Sequence, residues 1–88
     1  VYSVVAHRDW VRSVSFAPDS WSLVTAGDDG HVRLWHTETG QSLLELPDEG
    51  QVVLKAAFSS DGQRIACRTE DCRIVVYEGI PRQSTDVP

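Results

Sequence analysis

Apolar and polar positions alternate with period two through most of the chain, and polar clusters interrupt the alternation at regular intervals. Val32-Arg33-Leu34-Trp35 alternates as a half-buried strand does, and Trp21-Ser22-Leu23-Val24-Thr25-Ala26 precedes it as a second strand. Asp29-Gly30 between them is the strongest short hairpin signal available. A two-residue type I′ turn needs positive φ at both central positions, which Asp tolerates and Gly adopts freely. The same pattern predicts a short run over 1–5 and strands over 11–17, 22–27, 32–36, 42–46, 53–58, 63–68 and 73–77. Pro18-Asp19-Ser20, Thr37 to Gly40, Pro47 to Gly50, Ser60-Asp61-Gly62 and Glu70-Asp71 supply the turns. No stretch carries a 3.6-residue apolar period, so no α-helix is expected. Residues 79–88 are polar, with two prolines, and read as a tail or linker in which Ile80 can still pack.

The chain repeats itself. Phe16 and Phe58 stand 42 positions apart, from 16 to 58, and the same ungapped shift pairs Val11 with Val53, Asp19 with Asp61, Leu23 with Ile65, Asp29 with Asp71, Val32 with Ile74, Leu34 with Val76 and Trp35 with Tyr77. Antiparallel strands in fours, with a turn at each boundary, match the blades of a radial β-propeller better than a sandwich.

Composition bounds what such a chain does. At 88 residues it is at most one small domain, and a lone all-β domain of this size buries only about 60–65% of its unfolded surface and is marginal. The pattern therefore implies a larger assembly. The net charge of −5, with Arg residues scattered singly, argues against non-specific nucleic-acid binding, which needs clustered cations. Cys67 and Cys72 do not form a secreted disulfide framework and favour a reducing compartment, although a disulfide across the hairpin stays open. No apolar run approaches the roughly 18 residues of a membrane span, and the N-terminus shows no signal-peptide pattern. The chain does not begin with Met and reads as an excerpt or a processed piece.

His7-Arg8-Asp9-Trp10-Val11-Arg12-Ser13-Val14-Ser15-Phe16-Ala17-Pro18-Asp19-Ser20 and Asp28-Asp29-Gly30-His31-Val32-Arg33-Leu34-Trp35 resemble the opening segment and the closing hairpin of the WD-repeat (WD40) β-propeller family. The family's usual Gly-His pair is Ala6-His7 here, and its Trp-Asp ending is Trp35-His36. The second copy is degenerate, with Glu49 at the His position and Tyr77-Glu78 at the ending. The resemblance implies an all-β fold of WD40-type β-propeller blades, each a four-stranded antiparallel sheet: two repeats, and an incomplete ring unless assembled. In the family the repeat is offset from the blade. Residues 1–5 are then the outer strand of a preceding or closing blade, 6–46 the first repeat, 47–78 the degenerate second repeat and 79–88 the tail. The ring is completed by a longer parent chain or by identical copies, a homo-oligomer.

The resemblance also implies that His7, Thr25, Asp29 and Trp35 form a structural hydrogen-bond tetrad. The chemistry agrees, since an imidazole, a hydroxyl, a carboxylate and an indole N–H offer complementary donors and acceptors. Read as a hydrolase triad, His, Thr or Ser, and Asp would need an exposed nucleophile on a strained turn and an oxyanion hole, and neither is visible. The second copy places Glu49, Cys67, Asp71 and Tyr77 at these positions, a partial tetrad in a softer blade. His7, His31, His36, Cys67 and Cys72 lack metal-ligand spacing, so no metal or other cofactor is expected. Asp28 and Glu70 are expected to be more exposed than Asp29 and Asp71, on one face of adjacent blades; as an acid–base pair they would need a pocket.

Trp10 and Arg12 flank Val11 at the start of the innermost strand and point outward if Val11 points inward. Both residue types are enriched at interface hot spots. The resemblance carries the family's peptide-binding upper face onto Trp10, Arg12 and Asp28 in the first copy, and onto Val52, Leu54 and Glu70 in the second. Trp21 is either blade-packing or exposed. The expected function is a non-catalytic protein–protein interaction scaffold with a protein or peptide partner, without nucleic acid or membrane, in the cytoplasm or nucleus. A reader of phosphorylated or methylated peptides on the upper face is the alternative, with Arg12 favouring phosphate.

Overall fold

The structure, a computed structural model, describes residues 3–47 and 49–80. Seven strands run in order: β1 (Val11–Phe16), β2 (Ser22–Gly27), β3 (Val32–His36), β4 (Ser42–Glu45), β5 (Val53–Phe58), β6 (Arg64–Thr69) and β7 (Ile74–Glu78). They form a four-stranded antiparallel sheet, β1-β2-β3-β4, and a three-stranded one, β5-β6-β7. No helix occurs among the described residues.

The 42-residue repeat survives folding down to single hydrogen bonds. Phe16 faces Leu23 across the first sheet as Phe58 faces Ile65 across the second. Register slips between Val11 and Ser13, and again between Val53 and Lys55. The Ser20 N–H donates to Ala17 O at 2.9 Å and the Gly62 N–H to Ser59 O at 2.9 Å. These shared bonds make the two sheets copies of one unit rather than two sheets of similar composition.

Period-two alternation decides which face each sheet buries. Val24 and Ala26 of β2, with Val32 and Leu34 of β3, turn toward the second sheet and are fully buried. Val53, Ala56, Ile65 and Cys67 meet them from the other side, and Leu46 and Ile80 close the rim. The Ser13 hydroxyl joins the sheets: it accepts the Ala56 N–H at 3.2 Å and donates to the Ala56 carbonyl at 3.3 Å.

Two expectations differ from the structure. The hairpin after β2 is not a type I′ turn, because Gly30 has φ of 81° while Asp29 is absent from the positive-φ residues. The Gly30 N–H bonds to Gly27 O at 3.2 Å and Ala26 pairs with Val32, so the loop is longer and Gly30 alone takes the left-handed position. With negative φ, Asp29 caps the His31 N–H at 3.1 Å and turns its other oxygen toward His7 and Arg33. The run predicted over 1–5 falls partly on residues 1 and 2, outside the described residues, and residues 3–5 form no strand and are exposed. The tail predicted over 79–88 lies outside the described residues from 81 onward, while Ile80 is buried against the core and its N–H bonds to Gln63 O at 3.0 Å.

Candidate functional site

The first sheet carries a polar chain on the face opposite its core. The Trp35 indole N–H donates to Thr25 Oγ1 at 3.0 Å, and Thr25 Oγ1 lies 2.8 Å from His7 Nε2. Indole only donates, so the hydroxyl accepts from Trp35 and gives its own proton to Nε2. The Nδ1–H of His7 then donates to Asp29, at 2.9 and 3.1 Å from its two oxygens. His7 and Thr25 are buried, and Asp29 is nearly so. Burial alone would raise the Asp29 pKa, but the His31 N–H, the His7 ring, Arg33 and the Arg8 N–H outweigh it and hold the carboxyl far below its ordinary value.

Arg33, the polar position in the alternating run Val32 to Trp35, also joins this set of hydrogen bonds. Its Nη1 donates to the Ala6 carbonyl at 2.9 Å and to Asp29 at 3.2 Å, and its Nη2 reaches Glu45 at 3.5 Å. Arg33 thus ties the segment before β1 to the hairpin. The only sequence signal was its place four residues after Asp29, because the Ala6 contact comes from 27 residues away.

The second sheet assembles its counterparts differently. Tyr77 donates its hydroxyl proton to Glu49, and Cys67 takes the place of Thr25 as a buried thiol. Burial, with the Glu49 charge adding to it, pushes the Cys67 thiol up to about 11. Asp71 turns away from this pair. It accepts the Thr69 hydroxyl at 2.5 Å and Arg73 Nε at 2.9 Å, and its N–H donates to the Gln51 side chain. The expected ordering of these carboxylates holds in the first copy, where 16% of the Asp28 side chain is exposed against 9% of Asp29, but not in the second, where Asp71 is exposed along with Glu70. Cys67 and Cys72 are both free thiols.

At one edge the two sheets present the residues singled out for partner contact. The Asp28 N–H bonds to Trp10 O at 2.9 Å, and the Glu70 N–H to Val52 O at 3.2 Å. The repeat thus places Trp10 and Asp28 in the first sheet as it places Val52 and Glu70 in the second. Arg12 grips Asp28 through two bonds, Nε at 2.5 Å and Nη2 at 2.8 Å, and its guanidinium lies 5.5 Å from the centre of the Trp10 ring. The bond to Arg12 lowers the Asp28 pKa; the same bond raises that of Arg12, and the charges of Asp9 and Glu70 raise it further. Trp10 is 71% exposed. Val11 is also exposed, so the condition that it point inward is not met, whereas its counterpart Val53, which precedes the same register slip, is fully buried between the two sheets. Val52 and Leu54 are half-buried and Glu70 is exposed. Trp21 is half-buried, with its ring tilted against His36 at 6.0 Å.

Among the described residues no three His, Cys, Asp or Glu side chains are placed to hold a metal ion, and no helix is long and apolar enough to cross a membrane. A cleft of about 530 Å³ opens between the turns at the other edge, beside Pro18, Phe58, Asp61 and Ile80.

Comparison with known proteins follows the same lines. A profile described as WD domain, G-beta repeat, matches residues 1–36 and 40–78. The chain is 31% identical over 83 residues to WD repeat and SOCS box-containing protein 1 of Homo sapiens, covering 94% of this chain and 19% of that protein. It is 35% identical over 77 residues to eukaryotic translation initiation factor 3 subunit I of Phaeosphaeria nodorum, covering 82% and 23%. The structure of U3-55K superposes with a TM-score of 0.79 at 25% identity, over 85% of this chain and 25% of that one. The WD40 repeats of RRP9 superpose with a TM-score of 0.78 at 25% identity, over 85% and 24%. The chain therefore spans less than a quarter of the length of these curated relatives.

Proposed function

The chain belongs to the WD40 repeat family, a family that generally mediates protein–protein interaction, and from that premise we propose that it is a non-catalytic interaction scaffold whose contact edge is built from Trp10, Arg12 and Asp28, continued by Val52, Leu54 and Glu70. The observation that carries the reading is Trp10, a large exposed aromatic steadied by a guanidinium that Asp28 already holds. Such an anchor keeps its shape before binding and loses little side-chain freedom on contact. What supports a scaffold rather than an enzyme is that His7, Thr25 and Asp29 spend their donors and acceptors on one another inside the sheet. The partner is a protein or peptide. Further blades, from the same polypeptide or from other copies, complete the ring beside β7, which has no outer partner strand among the described residues.

The alternative, a reader of phosphorylated peptides, is less well supported. A phosphate would have to displace Asp28 from Arg12 while facing Asp9 and Glu70. The methylated-peptide version would need an aromatic cage around Trp10, and among the described residues no second ring is placed with it.

Peptides selected from a random library on the wild-type chain test the proposal. They are expected to bind Trp10→Ala at least about tenfold more weakly, the size of one lost interface anchor, and to bind Phe16→Ser, altered on another face, as before. Peptides that ignore Trp10→Ala would remove this edge from the function.

A further inference from the structure

The two sheets share a core but part at the edge away from Trp10, and the cleft of about 530 Å³ lies between them there. One side is the β1–β2 turn, closed by the Ser20 N–H on Ala17 O; the other is the β5–β6 turn, closed by the Gly62 N–H on Ser59 O. The turns come close at one point, where a Cβ on Gly62 would lie 3.6 Å from Pro18 Cδ. Pro18, Phe58 and Ile80 give the cleft apolar walls.

Ser22 also lines it. Ser22, Val24 and Ala26 alternate along β2, so the Ser22 side chain turns with theirs toward the second sheet. Ser22 is 3% exposed, and among the described residues its hydroxyl has no hydrogen-bond partner. A buried hydroxyl left so carries a cost that an incoming N–H removes. The second sheet has Arg64 at this position of the repeat, a side chain long enough to fill such a space itself; Ser22 leaves it open. Asp19 and Asp61, one on each turn, complete the polar lining, and no cation among the described residues joins them. Asp19 Oδ1 accepts the Trp21 N–H at 3.0 Å. Asp61 Oδ1 accepts the Ser59 hydroxyl at 2.6 Å and the Gln63 N–H at 3.0 Å. Neither Oδ2 has a hydrogen-bond partner among the described residues. The charge of Arg64 reaches Asp61, but its guanidinium is held by Glu78 at 3.2 Å.

The cleft therefore offers acceptors on both sheets, two unanswered negative charges and an aromatic wall. An ammonium is a compact, strongly hydrated point charge. A guanidinium is flat and more weakly hydrated, stacks on aromatic faces and spreads five donors in a rigid fork, so it suits a narrow slot with several acceptors.

We propose that the cleft between the β1–β2 and β5–β6 turns, separate from the edge at Trp10, receives an arginine side chain of a protein partner. Its methylenes lie against Pro18, Phe58 and Ile80, and its guanidinium answers Asp19, Asp61 and the Ser22 hydroxyl.

The probe is the blocked tripeptide acetyl-Gly-Arg-Gly-amide, titrated into the isotope-labelled chain and followed by amide NMR shifts. Saturating shifts are expected at Ser22, Gly62 and Ile80. The same tripeptide with citrulline, which keeps the shape and loses the charge, should bind at least about tenfold more weakly, and the lysine tripeptide should also bind more weakly. This comparison needs no variant of the chain. Asp19→Asn combined with Asp61→Asn keeps an oxygen for each turn bond and removes both charges; it should weaken the arginine tripeptide at least about tenfold, and Ser22→Ala should weaken it at least about threefold. Equal binding by citrulline or lysine, affinity untouched by the paired Asn changes, shifts confined to the Trp10 edge, or no saturating shifts would overturn the proposal. Two rival occupants would do the same. Binding that required Arg82→Ala would name the chain's own arginine, and shifts at these amides with chain concentration alone would name a second copy.

Discussion

The Thr25 hydroxyl stands 2.8 Å from His7 Nε2 and accepts the Trp35 indole proton at 3.0 Å, so one oxygen couples the segment before β1 to the centre of the first sheet. Thr25→Val keeps the shape and removes both bonds. The buried imidazole and the indole then lack their partner, and each group left so costs about 1–3 kcal/mol. A fall in the urea midpoint with an unchanged m-value is expected. An unchanged midpoint would mean that the chain of bonds is ornamental.

Asp29 makes stability depend on pH. Its carboxyl is held below the ordinary 3.8 of the unfolded chain, so the unfolded state binds the proton more tightly. The contribution of Asp29 is complete above that ordinary value and drains away as pH falls below it toward the lower folded value. Urea midpoints measured between pH 7 and pH 2 should fall steeply at the acid end for the wild type. Asp29→Asn should start lower at pH 7 and fall less. Parallel curves would detach Asp29 from acid unfolding.

How much of this was legible depended on the range of the interaction. β2 and β3 were readable because Val24, Ala26, Val32 and Leu34 obey a local rule, and the repeat was readable because Phe16 and Phe58 lie in register. The backbone of Asp29 was not. Asp-Gly favours a tight turn locally, but the longer loop lets Asp29 cap His31 and reach His7, 22 residues earlier in the chain. Gly27 was likewise silent. A Cβ there would lie 2.6 Å from the Trp10 carbonyl and 3.2 Å from the His7 ring, a closeness that only the folded loop creates. The partial signal was Thr69, its counterpart in the second copy, where no histidine crosses the strand.

The two thiols should differ in reactivity. Burial raises the Cys67 thiol to about 11, against an ordinary 9.0, while Cys72 is exposed. Thiolate is the reactive form, so at pH 7 to 8 the thiolate fraction alone should make Cys67 at least about a hundredfold slower toward maleimide than a thiol at the ordinary value. Mass spectrometry of a labelling time course should show one fast addition at Cys72 and a second that appears with unfolding. Fast double labelling in native buffer would show the core around Cys67 to be open.

Cys72 occupies the position that Gly30 holds in the first copy, and both are left-handed, with φ of 71° and 81°. The Cys72 N–H closes its turn on Thr69 O at 3.1 Å as the Gly30 N–H closes its own on Gly27 O at 3.2 Å. An L-residue pays about 1–2 kcal/mol for this conformation, which glycine avoids. Glycine also gives the unfolded chain more freedom, which returns about 0.5–1 kcal/mol of the gain. Cys72→Gly should therefore stabilise the chain by about 0.5–1 kcal/mol, and Gly30→Ala should destabilise it by at least that much. Thermal midpoints of the two variants, read together, separate turn strain from any effect of the lost thiol. If Cys72→Ser raised the midpoint as far as Cys72→Gly does, the thiol rather than the backbone would be the source.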